Sequence, residues 1–74
     1  MKYQAEANAV YEMLFDLEDL VDLHQSRFST NQLRDIISFK NKVNHYLGRR
    51  LPLKAKKQVK DLDKYIQQCL YYAN

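Results

Sequence analysis

The sequence predicts an all-α fold, a small three-helix bundle in up-down-up order. Two observations carry this. The 74 residues contain one Gly and one Pro, too few for the turns that a β-rich fold needs. Apolar residues also recur at steps of three and four through three long segments rich in Leu, Lys, Gln, Ala, Glu and Asp, which is the spacing of one buried helical face.

The length allows one domain, residues 1–74. A chain this short buries only about 60% of the surface its unfolded form exposes, so its core is small. Such domains often lean on disulfides, a metal or self-association. Cys69 is alone and cannot pair within the chain, and one Cys with two His makes no spaced ligand set. No metal and no cofactor are therefore expected. Self-association stays open, and the alternative fold is a helical hairpin completed by homodimerisation.

The first helix is read over about residues 4–25. Val10, Met13, Leu14, Leu17, Leu20, Val21 and His24 make its inner face, which Tyr3 and Ala7 extend backwards. Glu12, Asp16 and Asp19 line the opposite side, with Glu18 and Asp22 on a flank. In the following SRFST segment, Ser29 or Thr30 suits the N-cap, because a short hydroxyl side chain accepts from the open N–H groups of a first turn. Phe28 and Leu33 flank it at the spacing of a hydrophobic staple.

The second helix spans about 30–47, with Leu33, Ile36, Ile37, Val43 and Leu47 inward and Phe39 and Tyr46 as a parallel apolar row. Gly48 is placed for a left-handed C-terminal cap. Arg49, Arg50, Leu51 and Pro52 connect to the third helix, about 53–73, and Pro52 suits its first turn. Ala55, Val59, Leu62, Ile66, Cys69, Leu70 and Ala73 form the inner stripe, and Lys54, Lys57, Asp61, Lys64 and Gln68 the opposite face. Both connections are short, so neighbouring helices should run antiparallel.

The net charge of +3 hides a strong asymmetry. Residues 1–25 hold one Lys against six acids, a net of −5, while residues 26–74 hold eleven Lys and Arg against three acids, a net of +8. Helix electrostatics disfavours this placement. Lys54, Lys56 and Lys57 crowd the positive start of the third helix, and Glu18, Asp19 and Asp22 the negative end of the first. Each mismatch costs on the order of 0.3–1 kcal/mol before salt screening. With the first and third helices parallel, these clusters fall at opposite ends, beyond the Debye length of about 8 Å at physiological salt. A bipolar molecule is expected.

Two surfaces are candidates for binding. Arg49, Arg50, Lys54, Lys57, Lys60 and Lys64, followed by Tyr65, Tyr71 and Tyr72, would contact phosphates and displace counterions, with the tyrosines stacking on the partner. The plainer reading is a solvated basic helix face. No helix-turn-helix pattern supports DNA reading, since the third helix opens with lysines. Tyr11, Glu12, Phe15, Asp16 and Asp19 form an acidic and aromatic surface suited to docking a basic protein. Its plainer reading is a solubilising helix face with aromatics at the core boundary.

No catalytic residues can be assigned. His24 reads as a half-buried helix-terminal side chain and His45 as a cation favoured near a helix C-terminus. Cys69 reads as a buried, unreactive thiol. No apolar run reaches the roughly 18 residues of a membrane span, the N-terminal segment lacks a secretory h-region, and the unpaired Cys suits a reducing compartment. The expectation is therefore a cytoplasmic, non-enzymatic interaction protein (a regulator, inhibitor or subunit) with another protein as partner and no membrane association. The alternative is a DNA- or RNA-binding protein using the 49–64 segment. A homodimer is a third reading.

Overall fold

The computed structural model describes residues 2–72. It contains α1 (Lys2–Leu23), α2 (Thr30–Gly48) and α3 (Pro52–Tyr71), with a 3₁₀ turn at Gln25–Arg27. Among the described residues there is no strand. At one end, the Tyr3 hydroxyl donates to the Leu47 carbonyl and the Arg50 guanidinium lies 5.7 Å from the centre of the Tyr3 ring. At the other, the Arg27 guanidinium donates to the Leu70 carbonyl. The start of α1 thus meets the end of α2, and the end of α3 meets the loop before α2. The order is up-down-up, α1 and α3 are parallel, and the rod measures 43 × 17 × 16 Å.

The middle element is α3, which packs closely against both α2 and α1. Its stripe fits the sequence pattern: Ala55, Val59, Leu62, Ile66, Cys69 and Leu70 are all buried. Ala7, Val10, Leu14 and Val21 of α1 meet it, as do Ile36, Val43 and Leu47 of α2, and Phe28 closes one end. Fully burying one such aliphatic side chain contributes about 1.5–3 kcal/mol. The three helices share this core within one chain, so the hairpin alternative is not needed to complete it.

Three expectations meet a different outcome. The first helix ends at Leu23, not at Gln25: the His24 N–H is shared between the Leu20 and Val21 carbonyls, and the chain tightens into the 3₁₀ turn. Ile37 is 54% exposed. It follows Ile36 by 100° around the axis, on the side away from α3, and Phe39 and Tyr46 fill the inner row in its place. Gly48 is the last residue of α2 and does not have positive φ; the left-handed position falls on Arg50, with φ 59°. Arg50 N–H donates to Leu47 O and Leu51 N–H to Tyr46 O, a Schellman pair with arginine where glycine is usual. Ala73 lies outside the described residues, and α3 ends at Tyr71.

Ser29 does cap α2, and in reciprocal form. Its Oγ accepts from Gln32 N–H at 3.1 Å, while its own N–H donates to Gln32 Oε1 at 2.8 Å. Pro52 occupies the first turn of α3.

Candidate interaction surfaces

The basic residues gather at one end of the rod and run along one helix. Arg49 and Arg50 sit in the α2–α3 connection, and Lys54 follows in the first turn of α3. That turn has neither a side-chain cap nor an acidic residue; its first backbone closure is Ala55 N–H to Leu51 O at 3.0 Å. Lys54 Nζ lies 5.9 Å from the Tyr46 ring centre, a cation–π contact like that of Arg50 on Tyr3. Lys57, Lys60 and Lys64 are exposed along the outer face of α3. Leu53, to which the sequence reading assigns no role, is 75% exposed among these cations. Its signal in the sequence is a leucine that falls off the Ala55–Val59–Leu62 stripe.

Tyr65 does not belong to this surface. It turns toward α2, where its ring lies 5.6 Å from that of Phe39 and its hydroxyl donates to Asp35 Oδ2 at 2.6 Å. Burial first, and then the hydrogen bond to the anionic Asp35, push the phenol above its usual range. Tyr71 and Tyr72 stay exposed. Beside Tyr65, burial pushes the Cys69 thiol up, against a smaller opposing hydrogen bond with Tyr65. A thiol so raised stays protonated and is a poor nucleophile. Both residues line an open concavity with Gln32, Gln68 and Tyr72.

The acidic surface divides in two. Tyr11 and Phe15 stack at 6.2 Å with their planes 23° apart, and both are exposed. They lie on the edge of α1 that leads to Glu18, whose carboxylate pairs with Lys40 of α2 at 3.1 Å. Both partners are about a third exposed, so the pair contributes only a few tenths of a kcal/mol. Asp16 lies on the other edge, where it lines the α1–α3 seam with Asp63, Met13, Leu17 and Val59. Glu12 and Asp19 are exposed between these two edges. The acid-rich end of α1 and the 49–57 segment are at opposite ends of the rod, as the parallel arrangement of α1 and α3 requires.

His24 is half-buried and His45 exposed, with its ring 5.7 Å from that of Tyr46. Among the described residues, no three His, Cys, Asp or Glu side chains come together to hold a metal ion. No helix among them is long and apolar enough to cross a membrane.

No protein-family model matches the chain, and comparisons with curated proteins and with solved structures return no match.

Proposed function

We propose that this chain is a non-enzymatic interaction protein, a regulator, inhibitor or subunit that binds another protein through its charged and aromatic helical faces. The observation that carries the reading is the segregation of charge along the rod, with exposed apolar side chains set among the charges. Leu53 stands among cations, and Tyr11 and Phe15 stand beside Glu12 and Asp19. Helix stability does not account for such a distribution, because it opposes the dipoles of α1 and α3. Exposed aromatics are enriched at protein interfaces. The buried, unpaired Cys69 suits a reducing compartment such as the cytoplasm.

Affinity capture from the native host tests this, using wild type, a Phe15→Ser/Asp19→Lys variant and a Lys57→Glu/Lys60→Glu variant, each with and without nuclease. A specific protein retained by wild type, lost with one of the variants and indifferent to nuclease is the expected result. Turnover of a substrate that one polar substitution abolishes would overturn the reading.

A second reading has its own support. Lys57, Lys60 and Lys64 follow one another along the exposed face of α3, and none of them is in an ion pair among the described residues. Such a row suits phosphate contacts, and affinity for DNA or RNA should then fall steeply as salt rises. Fluorescence anisotropy with labelled oligonucleotides checks this; absence of binding at low salt removes it.

A further inference from the structure

We infer that two copies of this chain associate antiparallel through the face formed by α1 and α3. Two concavities along that seam establish its character. At the basic end, Pro52 and Leu53 meet Ala9 and Val10, with Lys56 and Glu6 at the rim. Toward the acidic end, Met13, Leu17 and Val59 form an apolar floor between Asp16 and Asp63. Lys56 and Glu6 offset each other at the first concavity, and the seam turns anionic toward Asp16 and Asp63. Arg50 and Lys54 make the other end basic: with Lys56 they outnumber the single Glu6 that borders both the first concavity and the neighbouring hollow around Leu51 and Leu53.

A surface positive at one end and negative at the other is complementary to its own copy under a two-fold axis perpendicular to the helices. Isologous packing of this kind is the commonest symmetry of small oligomers. A parallel arrangement would set cations on cations. The apolar side chains obey the same symmetry. Leu53, 75% exposed, is at the basic end, and Leu23, 76% exposed, is at the acidic end, two turns beyond Asp16 on the same row of α1. Antiparallel packing carries each copy's Leu53 toward the other's Leu23. Ala5 and Ala9, exposed on this side of α1, let the backbones come close. The inference shares Leu53 and the segregated charge with the function proposed above but stands on the seam concavities, which Phe15, Asp19, Lys57 and Lys60 do not line.

Sedimentation velocity from micromolar to millimolar chain, at low and high salt, tests it. A species of twice the 8.9 kDa chain mass should grow with concentration and weaken about tenfold or more in high salt. Leu53→Asp should abolish it with helicity retained, and Ile37→Asp, on the outer side of α2, should leave it unchanged. Lys56→Asp and Asp16→Lys should each weaken self-association, and an equimolar mixture of the two should associate more tightly than either alone. A monomer at every concentration overturns the inference, as does a dimer indifferent to Leu53→Asp or one broken by Ile37→Asp. A captured protein partner for a strictly monomeric chain would leave the proposed function standing and this inference refuted.

Discussion

The two connections of the bundle, residues 24–29 and 49–51, are built in opposite ways. The one at the acidic end is well satisfied. Phe28 is buried in it, Ser29 and Gln32 cap α2 reciprocally, and Arg27 crosses to close the last turn of α3. The one at the basic end carries a left-handed arginine, opens α3 without a side-chain cap and leaves Leu53 in water. A left-handed non-glycine residue costs about 1–2 kcal/mol. One end is shaped by the needs of the fold, and the other holds features that the fold does not require.

That contrast can be broken most forcefully at Phe28. Phe28→Ala should lower the unfolding free energy by about 3 kcal/mol, whereas Leu51→Ala, at a half-buried position, should cost clearly less; chemical denaturation of the pair decides. If the two costs are equal, the ends are not built differently. Ser29→Ala should cost about 1 kcal/mol, because one first-turn N–H of α2 loses its partner. At the basic end the sign should reverse. Gly48→Ala should stabilise by about 0.5–1 kcal/mol, since a Cβ there meets nothing within 4 Å and φ is not positive. Arg50→Gly should gain about 0.5 kcal/mol, its backbone relief partly offset by the lost contact with Tyr3. A loss of stability in both variants would mean that the connection is already optimal.

The smallest effect concerns pH. The Tyr65 phenol is raised in the folded state, so its contribution is fully present below the unfolded tyrosine pKa of about 10 and is lost as pH rises above it. Wild type should therefore lose stability between neutral pH and pH of about 11 faster than Tyr65→Phe does. Parallel denaturation curves across that range would show that Tyr65 is not responsible.

What could be read in the sequence follows from how local each feature is. The α3 stripe was legible because a buried middle helix has a single apolar face, and its periodicity is unambiguous. Ile37 was misplaced because apolar residues spread around much of α2. Which of them turn inward depends on where α3 lies, and no local pattern contains that. The exchange between Gly48 and Arg50 has a similar origin: the left-handed residue follows from where the last turn of α2 closes, and that turn ran two residues past the glycine. The capping box is present as Ser29-x-x-Gln32, but a neighbouring Thr30 is an equally good cap by type, and only the geometry of the first turn selects the serine and brings Gln32 back to it. The Tyr65–Asp35 and Glu18–Lys40 contacts join residues from different helices, so spacing could not reveal them. The segregation of charge was legible, because it needs only the composition of each segment and the order of the helices. The division of the α1 surface between two edges was not.

The central place of α3 has a consequence for how the molecule opens. The α2–α3 hairpin closes through a connection of only a few residues, so its contacts form early and locally. α1 lies against one side of that hairpin and shares a smaller part of the core. Amide exchange should thus be graded, slowest around Val59, Leu62 and Ile66 and faster along α1, which would open as a unit before the hairpin does. In a population of folded molecules, the rare ones that a protease cuts would be cut first in the helix that carries most of the acids.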